Sequence, residues 1–289
     1  MGVVEMIQAF EEYLRQEEKS LNTIKSYILN VNGFMKWFDE SKGMEFKKLH
    51  RENVKDYISY LKTVKKLALV SINAKISALI KFNDYLIESG VQTEVAINKK
   101  DMLKIQRQYA SLATVGLADV EKFRQLVLEH ESKRNYAIVS LLAYCGLRIS
   151  ESLNIRMTDF NLTSRELIVS EGKGKKTRTV FMGDKARTAI QSWIKECSDK
   201  GITSNYLFPS NRGGKLDRTV INKLFNKYSA IVGKEITPHD LRHFFCSYAL
   251  ENDMPVHEVA NQAGHSSIHT TLLYANPTKQ KMIEKMNRL

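Results

Sequence analysis

A mainly α-helical protein of two domains, with one small antiparallel β-sheet in the second (an α+β arrangement), is expected from three observations. The chain has 289 residues, and at roughly 100–200 residues per domain that length suits two separate cores. Apolar residues recur at three- and four-residue steps through most of it, which is the spacing of helices with one buried face. Around residues 167–181 the pattern shortens to strand alternation flanking a Gly- and Lys-rich stretch suited to a hairpin tip.

Four amphipathic helices are expected in residues 1–90. Met6, Phe10 and Leu14 mark the first, and Ile24, Val31, Phe34 and Phe38 the second, which Ser20 or Asn22 could cap. Val54, Tyr57 and Leu61 mark a third. Ile72, Ile76, Leu79 and Leu86 mark a fourth that should stop at Gly90, where a left-handed cap costs little. Periodicity weakens over residues 91–116, which reads as a linker, and the first domain is bounded at residues 1–100, the linker at 101–116 and the second domain at 117–289. In the second domain, helical patterns run through 118–131 and 133–145, with a short one near Ser150. After the hairpin they resume at 186–197, 218–232, 238–250, 255–263 and 267–275.

The 44 Lys and Arg against 32 Asp and Glu give a formal charge of +12, which favours a polyanionic partner such as nucleic acid. From Tyr57 through Asn83 no acid occurs, while Lys62, Lys65, Lys66, Lys75 and Lys81 supply positive charge that could track phosphates; a solvated helix face is the ordinary alternative. Cys145, Cys197 and Cys246 are odd in number and widely spaced, so neither a disulfide framework nor a zinc site is indicated. The amphipathic, acidic N-terminus has no secretory pattern, and the longest apolar run, 137–147, is short of the ~20 residues that span a bilayer. A cytoplasmic protein that does not enter a membrane is expected.

Three motifs carry chemistry. Gly146-Leu147-Arg148-Ile149-Ser150-Glu151 puts an arginine just past a helix end with an acid three residues on, able to fix the guanidinium's orientation. Pro238-His239-Asp240-Leu241-Arg242-His243 opens a helix with His239 and Arg242 one turn apart; His243 is expected on a different face, as a packing or surface histidine. Gly264-His265 leads to Tyr274 nine residues later, and Asn276-Pro277 stops any continuing helix. Each residue alone has a bland reading as a surface charge or core aromatic. Together, two arginines, two histidines, a lysine and a tyrosine, with neither a carboxylate cluster for magnesium nor a Gly-rich phosphate loop, suit phosphoryl transfer to a protein hydroxyl. Arginine's planar fork binds phosphate oxygens in pairs, and a tyrosine of ordinary pKa about 10 needs a positive field or a base to attack. Lys173 in the hairpin could protonate the leaving 5′ oxygen. No cofactor, metal or ATP is expected.

These motifs, with Gly172-Lys173-Gly174 and Gly264-His265-Ser266-Ser267, occur in the order found in the tyrosine recombinase family, which the chain resembles over nearly its whole length, and most closely its short Xer-like or transposon-resolvase members. The resemblance implies a DNA clamp of a helical, SAM-like core-binding domain and a catalytic domain. By it, Arg148, Arg242 and His265 hold the scissile phosphate, His239 transfers protons, Lys173 is the general acid, Tyr274 is the nucleophile and Glu151 supports the first arginine. Lys175 and Lys176 stay open as the acid or as DNA contacts, and Arg178 is expected to bind DNA. The family cleaves and rejoins duplex DNA at inverted-repeat core sites through a covalent 3′-phosphotyrosine and a Holliday junction, as tetramers on two DNA sites. Residues 278–289, with Met282, Ile283 and Met286 as an apolar side, resemble the tail that docks on a neighbouring subunit. Cys145 stands where many relatives carry Thr, and the linker lacks a common Pro. Two other readings compete: a non-enzymatic DNA-binding regulator, from the helix–turn–helix pattern of 258–275, and a type IB topoisomerase that relaxes DNA without choosing a site.

Overall fold

The computed structural model describes residues 2–105, 115–170, 177–265 and 267–274, together with 283, 286 and 287. The chain divides into two compact units, Met1–Arg107 and Gln108–Leu289.

The first unit consists of α1 (Val3–Gln16), α2 (Leu21–Lys42), α3 (Arg51–Thr63) and α4 (Leu69–Glu88). Its core is the set that the periodicity marks: Phe10, Leu14, Val31, Phe34, Val54, Ile72, Ile76 and Leu86 are all fully buried. Phe34 meets Tyr57 edge-on at 5.1 Å between ring centroids, a geometry that adds to simple area burial. Ser20 caps α2 by accepting from the Thr23 amide, and Gly90 takes the positive φ expected of it just past α4.

The segment after α4 differs from the expected linker. Asn83, 1% exposed, accepts from the Ala96 amide and from Gln92 Nε2, both at 2.9 Å, while Gln92 Oε1 takes the Leu49 amide. Asn73 exchanges two hydrogen bonds with the Leu103 backbone, and Ala96 and Ile97 are buried. Weak periodicity here reflects a chain held by side-chain amides rather than by a helical face. A buried backbone donor must find a partner, and these amides supply it without secondary structure.

The second unit is built around α6 (Lys133–Cys145), on which α5 (Leu117–His130), α8 (Asp184–Asp199) and α10 (Pro238–Glu251) pack. Ala137 to Ala143, Ser140 included, and Cys145 are all fully buried, so beyond its polar first turn α6 is enclosed on nearly all sides, as a central helix is. Short α7 (Ile149–Ser152) follows. A three-stranded antiparallel sheet comes next, in the order β1 (Phe160–Asn161), β2 (Glu166–Ser170), β3 (Thr177–Phe181). Leu167 and Val169 point into the core and alternate with exposed residues, as read from the sequence, whereas two-residue β1 is too short to leave a pattern. Ser170 pairs with Thr177 at the base of the hairpin. Then come α9 (Arg218–Val232), α11 (Val256–Ala263) and α12 (Ile268–Leu272). The last is shorter than the expected 267–275. Ile283 and Met286 of the tail are exposed, and Met282 lies outside the described residues. Among the described residues no helix is long and apolar enough to cross a membrane.

Candidate active site

Gly146 ends α6 in the left-handed conformation at φ +65°, and a Cβ there would lie 2.3 Å from the Phe245 ring. Its missing side chain lets α10 come against the end of α6, where Arg242 Nη1 donates to the Gly146 carbonyl at 2.6 Å. The same turn delivers Arg148 to the N-cap of α7. Glu151 Oε2 accepts from the Arg148 amide and Oε1 from Arg148 Nη1, both at 2.7 Å, so one acid caps the helix and aims the guanidinium. Arg148 Nη2 reaches the Gly264 carbonyl at 2.9 Å, tying the first motif to the third.

Thr237 opens α10 through a capping box with Asp240, and Pro238 takes the first turn. That start places His239 and Arg242 on successive turns. Arg242 is 4% exposed; burial, and then the nearby charge of Arg148, bring its pKa down to about 10. His265, held through Nδ1 to Thr271 Oγ1 at 2.7 Å, is lowered to about 4 by burial and by Arg242 and Arg148. Tyr274 follows α12 half-buried among Phe245, Cys246 and Val259, and burial pushes its hydroxyl up to about 12, with Cys246 adding and Arg242 opposing. Arg148, His239, Arg242, His265 and Tyr274 therefore converge from three separated segments of the sequence.

Glu151 is also the partner of Arg178, whose terminal nitrogens meet Oε1 at 3.1 Å and Oε2 at 2.9 Å. Arg178, expected to face DNA, has a side chain only 15% exposed and lies under the site, its Nε donating to the Gln262 carbonyl at 3.3 Å. Burial alone would raise the Glu151 carboxyl, but Arg178 and the Arg148 amide outweigh it and hold the group below its ordinary value. Three guanidiniums, of Arg148, Arg178 and Arg242, thus lie around one carboxylate, leaving excess positive charge for an anion. Gln262 clasps the edge of β3 as a strand would, accepting from the Phe181 amide at 3.1 Å and donating to its carbonyl at 2.7 Å.

His243 departs from its expected place. Its Nε2 is 2.7 Å from His239 Nε2 and 3.2 Å from the Tyr274 hydroxyl. It is four residues from His239, so both lie on one helical face, and that spacing was the signal available in the sequence. Nothing local in the sequence marked Gln262 or Thr271.

Lys173, Lys175 and Lys176 lie outside the described residues. In the first unit Lys62, Lys65 and Lys66 are exposed at and beyond the end of α3, with Lys65 over the Tyr60 ring. Lys75 donates to Asn30 at 3.2 Å, and Lys81 is paired with Glu17 at 2.5 Å, so the five lysines do not form one free row.

Residues 117–281 match the Phage integrase family, and residues 6–93 match the Phage integrase, N-terminal SAM-like domain. The chain is 48% identical over 288 residues to a protein named TnP I resolvase from Bacillus thuringiensis, covering 99% of this chain and 100% of that one. It is 29% identical to a tyrosine recombinase of Pseudothermotoga lettingae, covering 98% of each chain. Among solved structures, the XerH site-specific recombinase bound to palindromic difH substrate in a post-cleavage complex superposes with a TM-score of 0.74 at 21% identity, covering 92% of this chain and 80% of that one. The Tn1549 transposon integrase in complex with transposon right end DNA gives 0.71 at 22% identity, covering 98% and 99%. At those identities the two structures speak to the fold, while the family match and the near-complete alignment at 48% identity speak to descent. On that evidence the chain belongs to the phage integrase family, the tyrosine recombinases, enzymes that cleave and rejoin DNA at specific sites.

Proposed function

We propose that this recombinase cleaves each DNA strand by attack of the Tyr274 hydroxyl on a phosphodiester, leaving a covalent 3′-phosphotyrosine that a 5′ hydroxyl later resolves. The convergence of Arg148, Arg242 and His265 beside Tyr274 carries this reading. Arg148 and Arg242 offer N–H donors to the non-bridging oxygens, and His265, with Nδ1 engaged by Thr271, has Nε2 to add a third. As the pentacoordinate phosphate forms, charge spreads over those oxygens, and donors already fixed by Glu151 and the Gly146 carbonyl need no reorganisation. Glu151 is a positioning residue. His239 takes part in proton transfer and Lys173 protonates the leaving 5′ oxygen, roles that rest on the family resemblance. No ATP is consumed, because the phosphotyrosine keeps the energy of the phosphodiester.

The substrate is duplex DNA with an inverted-repeat core site, engaged by a tetramer on two sites in the cytoplasm, with strands exchanged in pairs through a Holliday junction. Residues 1–100 act as the core-binding domain, 101–116 as the linker and 117–289 as the catalytic domain. The +12 charge and the exposed lysines at the end of α3 support non-specific attraction to the phosphate backbone. The 48% identity to a protein named a resolvase favours resolution of a mobile element's recombination intermediates as the biological task.

The test is incubation of the full chain, without metal or ATP, with labelled DNA from around its own gene. Wild type should form a denaturant-resistant protein–DNA adduct and Tyr274→Phe should bind without forming one. An adduct that persists in Tyr274→Phe, or a strict metal requirement, overturns the assignment.

A further inference from the structure

His243 stands between Tyr274 and His239. The Tyr274 hydroxyl is 3.2 Å from His243 Nε2, within reach of a proton transfer, and the two rings meet edge to face at 4.9 Å. Behind it, His243 Nε2 and His239 Nε2 are 2.7 Å apart with their rings at 74°. Two imidazole nitrogens that close must hold one proton between them, since two N–H groups would repel and two lone pairs would bond to nothing. When His239 carries that proton, the single lone pair of His243 Nε2 faces both the His239 N–H and the Tyr274 hydroxyl, and it is open to the tyrosine's proton once the His239 N–H turns to the phosphate. The residues of α10 and of the segment around α12 therefore line up in the order Tyr274, His243, His239.

We propose that His243 is a catalytic residue, the group that takes the proton from Tyr274 during strand cleavage and returns it during joining; the proposal rests on Tyr274 being the nucleophile. In cleavage the Tyr274 O–H bond breaks towards His243 Nε2, the phenolic oxygen forms a bond to phosphorus, and the bond from phosphorus to the 5′ oxygen breaks. That oxygen takes its proton from the general acid. His243 becomes an imidazolium, and His239 frees its own N–H for the phosphate. Joining runs the steps backwards, with the incoming 5′ hydroxyl giving its proton to the general base that had been the acid, and His243 restoring the phenol. The half-buried tyrosine holds its proton well above neutral pH, so attack needs a base in contact with it. Burial, and then His239 and Arg242 on its own helix, hold the His243 imidazole below its ordinary value and so keep it neutral until then, with Asp240 opposing; His265 and Tyr274 face it from the segment beyond α11.

Single-turnover cleavage is measured with the full chain on the DNA fragment that yields the adduct, in two forms: the natural phosphodiester, and one with sulfur replacing the bridging 5′ oxygen, whose thiolate leaves without an acid. His243→Ala should bind DNA as wild type does and cleave both forms about 10²–10⁴-fold more slowly. Added imidazole should recover much of that loss, and recovery should follow its neutral form as pH rises. His243→Gln keeps a polar side chain of similar reach but no base, and should be as slow as His243→Ala. A wild-type rate in either variant overturns the proposal, as does a defect that the sulfur substrate repairs, because that lesion would lie at the leaving group. A His243→Ala loss that imidazole leaves untouched, with the fold intact, also overturns it. Adduct formation by Tyr274→Phe would instead sink the nucleophile assignment itself, so the two failures are distinct.

Discussion

The Arg178 guanidinium grips Glu151 with both terminal nitrogens, at 3.1 Å and 2.9 Å, and so joins β3 to the start of α7 beneath the phosphate site. A paired fork of this kind fixes direction as well as charge. Because Glu151 also holds Arg148, the orientation of the phosphate-binding arginine depends on β3 through the carboxylate that it shares with Arg178.

Arg178→Ala should therefore weaken both stability and catalysis. Glu151 is 6% exposed, and leaving a buried carboxylate with one cation fewer costs up to about 3–5 kcal/mol, less here because Arg148 remains. Arg178→Lys keeps the charge but not the fork, and should fall between wild type and Arg178→Ala. Urea unfolding and single-turnover cleavage check the two effects; an unaltered cleavage rate in Arg178→Ala would remove Arg178 from the site's support.

Gly264 has φ +70°, and a Cβ on it would lie 2.5 Å from Arg178 Cζ. Gly233 has φ +80° with open space around it. Both should lose about 1–2 kcal/mol to backbone strain when changed to Ala. Only Gly264→Ala should also displace Arg178, so its cleavage rate should fall while that of Gly233→Ala stays near wild type. Equal rates in the two variants would show that Arg178 can move without consequence.

Stability should fall as pH drops from 6.5 towards about 4, the window set by His265. In that range the unfolded chain binds a proton at His265 that the folded chain refuses, so the unfolded state gains on acidification. The depressed Glu151 carboxyl acts in the same direction at lower pH: its contribution is present above the ordinary carboxylate value and lost as pH falls through the folded one. Thermal unfolding from pH 7 to 4 should show a shallower slope for His265→Asn than for wild type.

Asn83→Leu should loosen the segment after α4. It removes the acceptor for the Ala96 amide and for Gln92, and a buried donor left unpaired costs about 1–3 kcal/mol. Faster amide exchange at Ala96, with slower effects at Phe10 in the core, is the expected pattern. Uniform protection in the variant would mean that another group holds the segment.

The linear sequence determined most of the helices and the inventory of reactive groups. The helices at Lys133–Cys145 and Arg218–Val232 fall where the apolar spacing put them, because burial of one face or of the whole helix is written at intervals of three and four residues. Motif order and residue type pointed to Arg148, Arg242, His265 and Tyr274, since few reactions use that mixture. Tertiary structure alone decided which groups touch. Arg178 meets Glu151 across 27 residues of chain, Gln262 clasps Phe181 across 81, and His243 becomes the neighbour of Tyr274 across 31. Periodicity reports which face of an element is buried, whereas these contacts depend on how α7, β3, α10 and the residues after α12 are packed against one another, and that packing follows from the shared core rather than from any local stretch of sequence.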